Sequence, residues 1–239
     1  MVSRILAILA VAGTALLLLP LLTGVTSFPE LSALAATYVN EAPGDVGAQN
    51  LVTAVIVTLR GLDTLGEVAV LFIAASAVGF LLTGSGETEE PAQAATASER
   101  PPSEILQTGA SVLFPPVLLF GLFVFLHGHL TPGGGFQGGV IIASGLLLLR
   151  LGHGAFPTSH RTLGITEALS GGFYVALGIL GLVLAGGFLD SGVLGLGEFG
   201  TLASAGTIPI IYALIGLKVG AELTSVLALL GGDEREEHS

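Results

Sequence analysis

The stretch TPGGGFQGG, Thr131–Gly139, joins two long apolar runs and decides the fold. Leu113–Leu130 precedes it and Val140–Leu149 follows it. Five glycines that follow a proline predict backbone that bends, or that another helix approaches closely. Inside a membrane protein, such backbone is tolerated only where protein or a water-filled cavity surrounds it. The stretch therefore predicts a packing hinge or the edge of a pathway, and not a catalytic loop. This structural loop comprises Pro132, Gly133, Gly134, Gly135, Phe136, Gly138 and Gly139.

The composition indicates an all-α integral membrane protein. Of the 239 residues, 51% are hydrophobic and 10% are charged, with a mean hydropathy of +0.88. A soluble domain carries about 25% charged residues. The chain has no cysteine, which excludes disulfides, thiolate zinc sites, iron–sulfur ligation and cysteine nucleophiles. The net charge of −11 argues against binding of nucleic acid or anionic lipid.

Six apolar runs predict transmembrane helices, since about 20 apolar residues cross a bilayer. The ten-residue run Asn50–Leu59 is too short to span and predicts a half-depth or interfacial helix. The first run also resembles a cleaved signal peptide, because Arg4 precedes a leucine-rich core; a retained span is the prediction. The six runs are Ser3–Gly24, Leu65–Leu82, Ile105–Phe125, Gly135–Leu151, Leu163–Gly186 and Ala205–Leu230.

The arginines predict the orientation of these spans. With six spans and both termini cytoplasmic, only Arg60 approaches the outer face, and Lys218 lies within a span. This bias is what the positive-inside rule requires. The arginines on the cytoplasmic side are then Arg4, Arg100, Arg150, Arg161 and Arg235.

A polar segment without apolar periodicity, Thr83–Ser103, predicts a flexible acidic linker between two units. The predicted organisation is an N-terminal unit of two spans and a short helix at 1–83, the linker at 84–104, a four-helix unit at 105–231 and an acidic tail at 232–239.

Three charged residues open the second span. Arg60, Asp63 and Glu67 follow one another at intervals of three and four, so a continuous helix projects all three from one face. Because burial and a nearby cation shift a carboxylate pKa in opposite directions, this arrangement suits the holding or passing of a proton or Na⁺. Alternatively, Arg60 and Asp63 form an interfacial helix cap.

Three further charges lie in the C-terminal spans. Lys218 and Glu222, four residues apart in the last span, can satisfy each other as a buried pair. The spacing fits structural pairing and transport equally well. Glu167 lies near the start of its span, where solvation at headgroup level is the expected account, with an ion-pathway role as the alternative.

Two other patterns resemble a metal site and a dinucleotide-binding loop in spacing, but not in their surroundings. His127 and His129 offer too few ligands for a metal site and predict interfacial polar contacts. Gly133, Gly135 and Gly138 match the glycine spacing of a dinucleotide-binding loop. Their flanks are apolar spans, however, and that motif requires a preceding strand and a later acidic residue. No metal and no nucleotide are therefore predicted.

Two stretches resemble known membrane-complex proteins. HGHLTPGGGFQGGVIIASG, His127–Gly145, resembles the signature of the MnhB (MrpB) subunit of multisubunit Na⁺/H⁺ antiporters, over about Ser103–Gly231. NLVTAVIVTLRGLDTLGEVAVL, Asn50–Leu71, resembles the C-terminal end of the large MrpA subunit and the MbhE subunit of membrane-bound hydrogenases. The chain is thus similar to a fusion of an MbhE-like and an MnhB-like subunit. The positions that match the R-G-x-D-T-x-G-E pattern are Arg60, Gly61, Asp63, Thr64, Gly66 and Glu67.

The resemblance implies an accessory subunit of a large membrane complex related to respiratory complex I, with other membrane subunits as partners. It implies that Asp63 and Glu67 lie on an intramembrane path for Na⁺ and H⁺, that the glycine loop supports packing, and that this chain binds no cofactor and has no catalytic site. The leading hypothesis is a subunit of a Mrp-type cation/proton antiporter in a prokaryotic cell membrane. The alternatives are the same module in a membrane-bound hydrogenase or related redox complex, and a pure assembly scaffold.

Overall fold

The computed structural model describes residues 2–23, 31–84, 102–154 and 159–230, and all regular structure in these ranges is helical. The α-helices are α1 (Val2–Thr23), α2 (Ala33–Asn40), α3 (Ala42–Val46), α4 (Leu51–Thr53), α5 (Gly61–Gly84), α6 (Glu104–Leu126), α7 (Gly135–His153), α8 (His160–Leu184) and α9 (Ile208–Leu230).

The first of two compact units, Met1–Thr37, contains α1. The apolar stretch of α1 with described side chains is Ile5–Pro20, which is shorter than the other spans. The predicted span Ser3–Gly24 is therefore found as a helix of 22 residues, Val2–Thr23, with Ile5–Pro20 as its described apolar stretch.

Within its described residues, the second unit, Tyr38–Ser239, contains five helices that are long and apolar enough to cross a membrane: α5, α6, α7, α8 and α9. The sequence prediction of these five spans is confirmed. The cytoplasmic orientation of both termini stays a prediction.

Helix α9 forms the centre of this unit and is the most buried of the five long helices. It packs against α7 and α8 on two sides and against α5 and α6 on the others. Its buried residues include Tyr212, Ile215, Lys218 and Glu222. The buried side chains of this helix consequently lie among several neighbouring helices.

Glycines allow the closest of these contacts. A Cβ on Gly139 of α7 would lie 2.8 Å from the Gly216 carbonyl oxygen of α9, and one on Gly138 would lie 2.7 Å from the Gly121 carbonyl oxygen of α6. The chain enters α7 through Gly134, whose φ of 152° favours glycine. The glycine-rich loop thus continues into a helix face that packs backbone to backbone.

The short run Asn50–Leu59 is helical but irregular. After α4, residues Ala54–Leu59 form a π-helical turn, which closes when Arg60 N–H donates to the Val55 carbonyl at 2.8 Å. The Thr64 hydroxyl donates to the Ile56 carbonyl at 2.5 Å and so satisfies an acceptor of this turn. Short π-helical turns are rare and occur frequently at functional sites.

Both ends of the predicted linker need correction, and the segment before Asn50 is partly helical. Of residues 31–49, Ala33–Asn40 form α2 and Ala42–Val46 form α3. At the predicted linker Thr83–Ser103, α5 continues to Gly84, and Ser103 caps α6 by accepting from Leu106 N–H. The rest of the linker, residues 85–101, and the tail at 232–239 lie outside the described residues, so their character stays a prediction.

Candidate functional site

At the start of α5, the helix is not continuous through the charged residues. Arg60 has φ −124° and ψ 34°, outside helical geometry, and α5 begins only at Gly61. The prediction that Arg60, Asp63 and Glu67 share one helix face assumed a continuous helix. The π-helical turn ends at Arg60, so the helix is interrupted there and Arg60 is not on the face of α5. Arg60 and Asp63 still form an ion pair, with side chains 61% and 54% exposed. Such an exposed pair adds little stability, and Glu67 is exposed one turn further along α5.

A second charged group lies inside the bundle. Lys218 Nζ donates to Glu222 Oε2 at 2.8 Å and lies 3.9 Å from Glu167 Oε1 of α8. It also lies 5.3 Å from the centre of the Phe72 ring of α5, a distance at which a cation is attracted to the ring face. We call Lys218, Glu222 and Glu167 the charged cluster.

The three side chains of the charged cluster are largely buried within the chain. The side chains of Lys218, Glu222 and Glu167 are 9%, 1% and 20% exposed. Among the described residues, Glu222 Oε1 has no hydrogen-bond partner. Two carboxylates thus share one ammonium group, and one carboxylate oxygen is left over. Glu167 faces Lys218 because α8 packs along α9; its expected position at headgroup level stays a prediction.

Tyr174 is a polar residue that sequence reasoning missed. It lies on the buried face of α8, is 1% exposed, and its hydroxyl has no hydrogen-bond partner among the described residues. The sequence indicates Tyr174 only by its position seven residues after Glu167, two helical turns further along the same helix face.

A polar network ties the region before α5 to the loop between α6 and α7. The Asn50 side-chain amide donates to the carbonyls of Gly128 and Thr131 at 2.8 and 3.0 Å. The Thr53 hydroxyl donates to Gly128 at 2.6 Å and accepts from the Tyr212 hydroxyl at 2.8 Å. Residues far apart in sequence therefore satisfy two carbonyls of the turn that follows α6.

The two histidines of this loop face different partners. His127 stacks on Phe123, with ring centroids 4.1 Å apart. His129 is fully buried, and its Nε2 lies 3.3 Å from the Thr201 carbonyl oxygen. Burial lowers the pKa of His129 below its usual value of 6.5, and the charge of His127 adds to this. The described ranges contain no group of three His, Cys, Asp or Glu side chains placed to hold a metal ion.

The buried His129 predicts acid sensitivity. Because its folded-state pKa is lowered, the folded chain takes up this proton less readily than the unfolded chain. The stabilising contribution is present above about pH 6.5 and is lost as the pH falls below it. We expect the melting temperature in detergent to fall as the pH is lowered from about 7 to about 5, through the ordinary histidine pKa, and to fall less steeply in His129→Gln. The control is His153→Gln, at an exposed histidine. Equal slopes in wild type and His129→Gln would contradict this assignment.

Comparison with known proteins decides the family. The family model of the domain related to the MnhB subunit of Na⁺/H⁺ antiporters matches residues 105–225. This chain belongs to the MnhB family. In addition, residues 2–96 of this MnhB-family chain match the model of MbhE, a subunit of MBH. Both resemblances seen in the sequence are thereby confirmed.

Relatives and solved structures extend this match over both halves. An uncharacterized protein of Methanocaldococcus jannaschii is 30% identical over 201 residues, 76% of each chain. A chain of the membrane-bound sulfane sulfur reductase (MBS), an archaeal respiratory membrane complex, is 41% identical, with 96% of this chain and 98% of that one covered and a TM-score of 0.78. A chain of the Mrp complex from Dietzia sp. DQ12-45-1b is 28% identical, with 99% of this chain covered and a TM-score of 0.77.

The MnhB-family chain spans only 27% of the Dietzia chain. Together, the matches make it a multi-pass membrane subunit of prokaryotic complexes of the Mrp antiporter type or of the related MBH and MBS respiratory type.

Proposed function

We propose that this MnhB-family chain is a subunit of a Mrp-type antiporter that exchanges Na⁺ or a similar cation for H⁺, and that it carries part of the ion path. The observation that carries the proposal is the charged cluster in the middle of the bundle. Charged side chains within membrane spans are costly, and they mark ion paths and proton relays. The cluster and Glu67 of α5 are the charges to explain.

The charge balance of the cluster indicates its ligand. With Lys218, Glu222 and Glu167 all ionised, one negative charge remains, and a buried charge must be paired or neutralised. A proton on one carboxylate or a monovalent cation beside it restores the balance. Since either ion can do so and both cannot be needed at once, the cluster is suited to exchange one for the other.

Glu67 provides the second position. Its exposure on the isolated chain means that, in the assembly, either lipid or a neighbouring subunit covers it. A carboxylate facing lipid is strongly disfavoured, so the covering surface is a partner subunit, and Asp63 and Arg60 mark the entry to the same face. In this arrangement both termini are cytoplasmic, the units are those at 1–83 and 105–231, and the chain supplies no catalytic group or cofactor.

The test replaces single carboxylates in the assembled complex. We expect Glu167→Gln and Glu67→Gln each to reduce Na⁺-dependent proton flux in vesicles by about 100-fold, the low end of what a positioned proton-transferring group contributes. Glu167→Gln is the sharper variant, because it removes the excess charge and leaves the Lys218–Glu222 pair in place. Glu198→Gln, at an exposed carboxylate of the loop before α9, is the matched control. Unchanged flux in both test variants, with the complex intact, would leave a scaffold role and end the proposal.

A second candidate function is the same ion path in a redox-driven complex. The observation that favours it is the 41% identity to the MBS chain over nearly the full length of both. Purification of the native complex distinguishes the antiporter from the redox-driven complex. Iron–sulfur signals from partner subunits in electron paramagnetic resonance, with ion pumping driven by electron transfer, would establish the redox complex, and their absence from an active complex would establish the antiporter.

A further inference from the structure

A cavity of about 130 Å³ lies between three of the long apolar helices. Helices α7 and α8 both pack against α9 but make few contacts with each other, which leaves a gap between them. Small residues of α9 form the floor of this gap. The lining residues include Ile142, Leu146, Leu163, Thr166, Gly216 and Gly220.

The cavity suits an apolar occupant. Of the residues that line it, only Thr166 has a polar side chain, and a buried water needs about two to four polar partners. An apolar cavity of about 150 Å³ stays dry and binds a group as large as benzene. Because the three helices are long and apolar enough to cross a membrane, the medium that can fill the gap is hydrocarbon. A segment of a lipid acyl chain fits both the size and the lining.

Basic residues lie at one end of this gap. Arg150 follows Leu146 by four residues on α7, and His160 precedes Leu163 by three on α8. Each therefore lies one helical turn from a lining residue, on the same helix face. Arg161 is exposed and forms no ion pair with any described residue. Since only residues 154–159 separate the two helices, these basic groups lie at the same end of the gap.

The local charge is positive although the chain is acidic. The net charge of −11 predicts no attraction of the chain as a whole to anionic lipid. No acidic residue occurs in the sequence between Glu104 and Glu167, however, and Glu167 faces Lys218. Arg150 has a further interaction within the chain, but a guanidinium group has several N–H donors and can bind a phosphate as well. Basic pockets between transmembrane helices bind the headgroups of anionic lipids.

We propose that the gap between α7 and α8 is a binding site for an anionic phospholipid. One acyl chain fills the apolar cavity. The phosphate of the headgroup is bound by Arg150 and Arg161, with His160 as a further donor. The lipid takes part in no step of the proposed ion path, so the site can be tested independently of that function.

The test measures lipid binding to the purified, delipidated complex by native mass spectrometry. The probes are dioleoyl phosphatidylglycerol, which is anionic, and dioleoyl phosphatidylcholine, which is zwitterionic. We expect the double variant Arg150→Gln/Arg161→Gln to bind phosphatidylglycerol about 30-fold more weakly at one site, the contribution of two arginines near a charged lipid. The charge-conserving variant Arg150→Lys/Arg161→Lys is expected to keep most of this binding. Wild-type affinity that is equal for the two lipids, or unchanged in the glutamine variant, overturns the proposal.

A second substitution tests the acyl-chain part of the site. Thr166→Phe places a ring in the cavity and is expected to abolish the tightly bound phosphatidylglycerol. Ile165→Phe is the matched control, because it adds the same ring at a neighbouring position that is 49% exposed; it is expected to keep the lipid. Equal loss in both variants overturns the site. Should Thr166→Phe fail to assemble, a cryo-electron microscopy map of the wild-type complex decides: an acyl chain between α7 and α8 supports the proposal, and a neighbouring subunit's side chain or an empty gap overturns it.

Discussion

Replacing Lys218 by Met is expected to lower the free energy of unfolding by about 3–5 kcal/mol, the cost of removing one partner from a buried ion pair. Glu222 is 1% exposed, and its only described polar partner is the Lys218 ammonium group at 2.8 Å. Without Lys218, the carboxylate is left uncompensated or must take up a proton. Reversible unfolding in mixed detergent micelles measures the change.

A double replacement provides the control. Lys218→Met combined with Glu222→Leu removes both charges and keeps apolar volume, and such exchanges are often neutral or stabilising by about 1–4 kcal/mol. The effects of the single variants are then strongly non-additive, as expected for residues in contact. A loss of less than about 1 kcal/mol in Lys218→Met, additive with that of Glu222→Leu, would show that the two side chains are not a buried pair.

Gly139→Ala is expected to destabilise the bundle by about 1–3 kcal/mol or more, as overpacking of a filled core does. The added Cβ would lie 2.8 Å from the Gly216 carbonyl oxygen and 3.0 Å from the Gly220 nitrogen. Both are backbone atoms, which no rotamer change can move away. Helices α7 and α9 must therefore separate, and the same unfolding measurement reports the cost.

Gly172→Ala is the matched control for this substitution. Gly172 also lies inside a long helix, but a Cβ there meets nothing within 4 Å. Alanine should leave stability unchanged or raise it by about 0.5–1 kcal/mol through helix propensity. If both alanine variants are equally stable, the close approach of α7 and α9 is not what the glycines serve.

Much of the fold follows from the sequence because each long helix buries its backbone hydrogen bonds within itself. The prediction Gly135–Leu151 differs from α7 only at its C-terminal end. The prediction Ala205–Leu230 begins three residues before α9, because Ala205 and Gly206 adopt positive φ angles of 66° and 55°. The π-helical turn at Ala54–Leu59 could not be predicted, since the hydroxyl of Thr64 that supports it comes from the following helix.

The site could be predicted only as far as local spacing reaches. The interval of four residues identifies Lys218 and Glu222 as neighbours. The approach of Glu167 to Lys218 depends on how α8 packs along α9. Residue spacing within a single helix gives no information about that packing. Tyr174 has no charge and stands in an apolar helix, so only its burial and its unpaired hydroxyl distinguish it.

The bonds from Asn50 and Thr53 to the turn after α6 have a consequence for how such a protein can be encoded. The segment matched by the MbhE model recognises the MnhB-like segment through side chains that lie outside the peptide joining them. Two genes, each encoding one half, would therefore yield polypeptides that still carry complementary surfaces. Fusion into one reading frame fixes the ratio of the two halves at one to one and leaves the contacts between them unchanged.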